Sequence, residues 1–200
     1  MRRRRLGALI FPGFEMLDLY GPLEMFAMRP DAFEIVTLAK RTGPVVAAGG
    51  PATLADMAIC ASPPLDVLLV PGGPGTRDAL GDAALIGWLR ETAAHAEIVA
   101  SVCTGAALLA AAELLDGGPA TTNKRAFDWV AGTRPDVDWR KRARWVEAGP
   151  IFTASGVSAG MDMALAMIAR LMGRDAAEDA AHEAEYIWNH DPREDPFAKE

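Results

Sequence analysis

Apolar residues along this chain gather in short, nearly unbroken runs separated by longer stretches of mixed character. Leu6–Phe11, Leu65–Val70 (LDVLLV) and Ile98–Val102 are such runs, with FEIVTLA at 33–39 a fourth. Each is too short for a helix and apolar on both faces, the pattern of strands buried inside a parallel sheet. Between them the pattern predicts helices, at Asp82–His95, Ala106–Leu115, Lys124–Val130, Ala159–Met172 and Asp175–Trp188. Phe14–Tyr20 reads as a connection, and Gly21-Pro22 as a helix start, since proline is well tolerated at the first helical position. Ser158 stands where it would cap the helix at 159. Two short pairs, Pro44–Ala48 with Ala52–Leu54 and Trp145–Ala148 with Ile151–Ala154, read as hairpins, and Ala120–Thr122 as a further short strand. Strands alternating with helices predict a doubly wound, mostly parallel α/β sheet covered on both faces. No linker or repeat interrupts it, so a single domain over 1–200 is expected, with a solvated basic tail at 1–5 and a surface tail at 190–200.

One stretch organises the rest. EIVASVCTGAALLAAAELL, at 97–115, passes from strand to helix across Cys103-Thr104-Gly105 with no room for a loop. Such a turn is tight, and Gly105 and Ala106 make it sterically feasible. Strand–turn–helix is the setting of a nucleophile elbow. A cysteine there would sit at a helix N-terminus, where free N–H groups favour a thiolate. The competing reading is a small buried hydrophobe, the usual fate of free cysteine.

Composition narrows the options. The formal net charge is -7 and the pI about 5.0, which disfavours nucleic acid as a partner. No apolar run approaches the ~18 residues of a membrane span. Two cysteines, Cys60 and Cys103, are too few for a disulfide framework and fit a reducing, cytoplasmic setting. Cys103 is expected to be the reactive thiol and Cys60 the inert one. No Cys/His spacing suggests a metal site, and neither metal nor cofactor is expected.

In open α/β sheets ligands bind beyond the carboxyl ends of the strands. Three segments meet that description here, Phe14–Gly21, Pro71–Gly75 and Cys103–Gly105. Asp18 lies in the first between Leu17 and Leu19, as either a backbone acceptor or a desolvated general acid beside Cys103. Glu15 and Glu24 are rival carboxyls. Gly72 and Gly73 would let a backbone N–H join that of Thr104 in a two-donor anion hole. Asn123 follows the next strand. A cysteine hydrolase needs a histidine near its thiol, and His95, His182 and His190 all lie away from the strand ends.

These motifs carry a resemblance. VPGGPG at 70–75, SVCTGA at 101–106 and GVSAGMDMAL at 156–165 are similar to the ThiJ/PfpI superfamily, which has the class I glutamine amidotransferase-like, flavodoxin-like fold. FEMLDLYGPLEMF at 14–26 resembles the branch containing isonitrile hydratase and the sensor domains of AraC-type regulators. The resemblance implies Cys103 as nucleophile, Asp18 as its acidic partner, Thr104 beside them and Gly73 as backbone donor. It implies hydration of an isonitrile to an N-substituted formamide through a cysteine thioimidate, and a homodimer. A glyoxalase- or deglycase-like enzyme and a ligand or redox sensor are the alternatives. Asn123 stands where much of the branch has histidine, which weakens transfer from the histidine-bearing members.

Overall fold

The computed structural model describes residues 2–198. In chain order the elements are β1 (Arg4–Leu9), α1 (Met16–Ala27), β2 (Phe33–Ala39), β3 (Gly43–Val46), β4 (Ala52–Ala55), β5 (Met57–Ala58) and β6 (Val67–Val70). There follow α2 (Thr76–Ala79), α3 (Ala83–Ala93), β7 (Ile98–Val102), α4 (Gly105–Ala111), β8 (Pro119–Ala120), α5 (Phe127–Thr133) and β9 (Asp138–Trp139). The chain continues with β10 (Trp145–Ala148), β11 (Ile151–Ala154), α6 (Ala159–Met172) and α7 (Arg174–Glu183).

The main sheet has seven strands in the order β10-β11-β7-β6-β1-β2-β5, all parallel except β10. Helices α1, α6 and α7 pack together as one group, and α3, α4 and α5 as another. The central strands β6 and β7 are buried at every residue, which is why their sequences are unbroken apolar runs. The chain builds outward from β1 to β2 and β5, then returns to β6 on the other side of β1. That reversal opens a crevice at the carboxyl ends of β1, β6 and β7.

Several boundaries differ from those expected. Helix α1 begins at Met16, not Gly21, so Asp18 lies in its first turn and Pro22 in its interior. Proline there removes the N–H that the Asp18 carbonyl would otherwise accept. On the same face small residues let α1 and α6 approach closely. A Cβ at Gly160 would lie 3.0 Å from Pro22 Cγ, and one at Gly21 2.9 Å from Met161 Cγ. Helix α4 ends at Ala111, short of Leu115, and α7 at Glu183, short of Trp188. Ser158 holds the N-cap position of α6, but its side chain makes no cap bond. The Ala120 strand pairs with β9 in a separate two-stranded sheet rather than joining the main one.

Neither end is a loose tail. Arg4 and Arg5 belong to β1, and Arg2, Arg4 and Arg5 pair with Asp66, Glu97 and Glu34 at 2.5, 2.8 and 3.2 Å. These pairs are solvent-facing and contribute roughly 0–1 kcal/mol each. The C-terminal segment is anchored more firmly. Asp195 is buried and accepts from the Ser155 hydroxyl, and the Pro192 carbonyl accepts from Arg144 N–H at 2.8 Å. Buried Arg144 in turn pairs with buried Asp162 at 2.6 Å, and Asp162 also accepts from Tyr186 Oη and Asn189 N–H. Breaking one side of such a buried pair costs about 3–5 kcal/mol. Met1 and residues 199–200 of the two expected tails lie outside the described residues. Among those described, no helix is long and apolar enough to cross a membrane.

Candidate active site

Cys103 directly follows β7 in a backbone conformation that side chains rarely adopt, with φ of 57°. Such strain concentrates at functional turns and persists only where the surroundings enforce it. Here they do. Cys103 N–H donates to the Ala154 carbonyl at 3.0 Å, and the Thr122 hydroxyl donates to the Cys103 carbonyl at 2.8 Å. Glycines let neighbouring turns close on the elbow. A Cβ at Gly105 would lie 2.4 Å from the Val70 carbonyl oxygen, one at Gly72 2.5 Å from Thr104 N, and one at Gly156 2.6 Å from Cys103 Cβ. Three loops thus meet around one residue.

Asp18 reaches the same point from α1 and is fully buried. Its Oδ2 accepts from Gly72 N–H at 3.0 Å, and its Oδ1 has no hydrogen-bond partner. Burial raises its pKa to about 7, against the opposing pull of the Gly72 N–H and the Cys103 thiol, with nearby Glu15 adding to the rise. Glu15 is the half-buried N-cap of α1 and Glu24 is exposed, so Asp18 is the carboxyl that adjoins the thiol.

Cys103 itself is 7% exposed, and burial pushes its thiol pKa up. The Asp18 charge adds to the rise, and the Thr104 N–H and hydroxyl only partly offset it. Burial and the Asp18 charge thus oppose the thiolate that the helix N-terminus favours. Cys60, by contrast, is exposed. Limiting iodoacetamide near neutral pH should accordingly label Cys60 before Cys103, the opposite of the order expected from the sequence. Peptide mapping of the first-labelled site checks this. Early labelling of Cys103 would show that its thiol is far more acidic and open than its burial implies.

The anion hole also differs from expectation. Gly72 N–H is engaged by Asp18, and Gly73 N–H donates to Thr104 Oγ1 at 2.9 Å. That hydroxyl also bonds Thr76 Oγ1 at 2.9 Å, so Thr104 braces the glycine turn. Neither glycine N–H is left to meet a developing oxyanion. Asn123 spends its amide oxygen on the N–H groups of Arg125 and Ala126, at 3.0 and 3.1 Å. Asn123 lines a cavity of about 830 Å³ together with Leu17, Gly156, Val157 and Phe197. Gly156 stands between this cavity and Cys103, lining the one and abutting the other, while Cys103 and Asp18 themselves do not line the cavity. All three histidines are exposed and none is at the elbow. Among the described residues no group of three or more His, Cys, Asp or Glu side chains could hold a metal.

Sequence reading missed Gly156, Thr76 and the Ser155–Asp195 bond that fixes the loop before Gly156. The GVS run at 156–158 was the one local signal for that loop.

Comparison with known proteins bears on the family. The chain is 36% identical to the isonitrile hydratase of Pseudomonas putida, over 91% of this chain and 78% of that protein. It is 28% identical to the HTH-type transcriptional regulator CdhR of Pseudomonas aeruginosa, over 84% of this chain but 51% of the regulator. A ThiJ/PfpI family protein from Pseudomonas syringae superposes with a TM-score of 0.85 at 33% identity, covering 98% of this chain and 78% of that one. The DJ-1/PfpI family model matches residues 4–170, a span that includes the glycine turn, the elbow and the Gly156 loop. The chain belongs to the DJ-1/PfpI family.

Proposed function

We propose that this protein hydrates isonitriles to N-substituted formamides, with Cys103 as nucleophile and Asp18 as the group that moves protons. The observation that carries the reading is the buried carboxyl with one unpartnered oxygen and a pKa of about 7, adjoining a cysteine with no histidine near it. A carboxyl near neutrality gives and takes protons with equal ease at the working pH. The 36% identity to an isonitrile hydratase supports the same reading.

The chemistry needs no resting thiolate. An isonitrile carbon is nucleophilic, so it must gain a proton as sulfur adds to it. Neutral Asp18 gives its proton to that carbon, the sulfur of Cys103 forms the C–S bond, and the thiol proton returns to Asp18. The product is a thioimidate. Water then adds to the same carbon, losing a proton to Asp18 as Asp18 protonates the imidate nitrogen. Finally the C–S bond breaks, and the hydroxyl proton passes through Asp18 to the departing sulfur. One isonitrile and one water give one formamide, and both side chains are restored. No step builds an oxyanion needing two fixed donors, which fits the occupied glycine N–H groups.

A second reading is a ligand or redox sensor. The burial of Cys103 and the 28% identity to a transcriptional regulator favour it. A turnover screen of alkyl and aryl isonitriles and 2-oxoaldehydes separates the readings. Saturable formamide production is expected. Turnover of methylglyoxal alone would favour the reactive-carbonyl activity, and turnover of neither class would favour the sensor.

A further inference from the structure

The cavity that opens beside Gly156 is walled on one side by cations. Lys124, Arg125 and Lys141 line it, and among the described residues Asp128 is the one acidic residue in its wall. This is unusual in a chain whose formal net charge is -7, where an average surface patch would repel an anion. Arg125 and Lys141 are exposed, and solvent alone would explain them. Lys124 is different. It is half-buried, its ammonium donates to Thr121 Oγ1 and the Ala143 carbonyl, and among the described residues it makes no ion pair. An ammonium has three donors, so one is left for the cavity. Burial lowers its pKa to about 8, with Arg144 lowering it further and Asp195 partly restoring it. A cation held out of water without a carboxylate partner is costly, and an incoming anion relieves that cost.

We infer that the substrate of this site carries an anionic group of carboxylate size, which seats on Lys124 between Arg125 and Lys141 while the reacting carbon reaches Cys103. The inference rests on the proposed hydration and adds the class of substrate. Gly156 separates the cavity from the elbow, since it belongs to the cavity wall and abuts Cys103, so the reacting carbon passes the Gly156 backbone to reach the thiol. The apolar side chains of Leu17, Val157 and Phe197 line the same space, which suits an apolar linker between the two ends.

The test compares 4-isocyanobenzoate with its neutral methyl ester. At low salt the wild type should prefer the carboxylate about tenfold or more in kcat/KM, the scale of one charge-assisted hydrogen bond. The preference should shrink toward unity in Lys124→Met, in Lys141→Glu and at high salt. Because Lys124 is partly buried and its loss risks the fold, exposed Lys141 and Arg125→Glu carry the test independently. Equal use of acid and ester by the wild type, or a preference untouched by these variants, would overturn the inference and leave hydration standing. Calorimetric binding of benzoate against methyl benzoate gives a readout free of the reaction. Charge-dependent benzoate binding without turnover of any isonitrile would sustain the anion site and sink the hydration reading.

Discussion

Asp18→Asn should abolish most turnover and, at the same time, make the protein's relative stability rise with pH. The carboxyl's pKa is raised from 3.8 to about 7 by burial. A raised acid contributes stability that is complete below its unfolded pKa and is lost as pH climbs through the folded one. Between pH 5 and pH 8 the wild type therefore loses on the order of 3 kcal/mol that the asparagine variant does not. Asparagine keeps an oxygen for Gly72 N–H but introduces a buried NH₂, a penalty of about 1–3 kcal/mol that does not vary with pH. The informative quantity is thus the change in the gap between variant and wild type, read from chemical denaturation at the two pH values. A gap that stays constant would mean that Asp18 titrates like an ordinary surface carboxyl. In turnover, removing the proton carrier should cost about 10²–10⁴-fold, while Glu15→Gln and Glu24→Gln cost far less. Wild-type kcat/KM should fall above pH about 7, as the neutral donor is lost.

Much of the fold was legible in the residues, and the failures have physical causes. Strands β6 and β7 are buried on both faces, so their apolar runs could be read directly. The hairpin of β10 and β11 was also read, from two short apolar runs joined by the weak turn signal Gly149-Pro150. The start of α1 was not, because Gly21-Pro22 mimics an N-terminus. The helix nevertheless runs from Met16 through Pro22, on the face that Gly21 and Gly160 let approach α6 closely. The C-terminal segment was unreadable for a different reason. Its anchors join Asp195 to Ser155, 40 residues apart, and Arg144 to Asp162, 18 apart, beyond any local pattern.

The site divides in the same way. The elbow at Cys103 and the neighbourhood of Asp18 followed from strand ends and small residues. The upward push on the thiol pKa did not, because desolvation is a tertiary property. Which N–H groups remain free was equally hidden. Gly72 and Gly73 are the right residues for a close approach, yet their donors are consumed by Asp18 and Thr104.

The central claim is that sulfur of Cys103 forms and breaks the bond that makes an isonitrile hydratable. Cys103→Ala keeps a small side chain at the elbow but removes the nucleophile, and at this positive φ alanine is tolerated better than a branched residue would be. Asp18 would remain, able to protonate the isonitrile carbon but without a partner to trap it. Loss of an activated nucleophile that splits one hard step into two should remove essentially all enzymatic turnover. The most direct measurement follows formamide formation by proton NMR from a small aryl isonitrile, with equal concentrations of wild type and Cys103→Ala after both are shown to unfold at similar temperatures. The account predicts saturable formamide production by the wild type and a rate indistinguishable from buffer for the variant. A folded Cys103→Ala protein that makes formamide at the wild-type rate would contradict it.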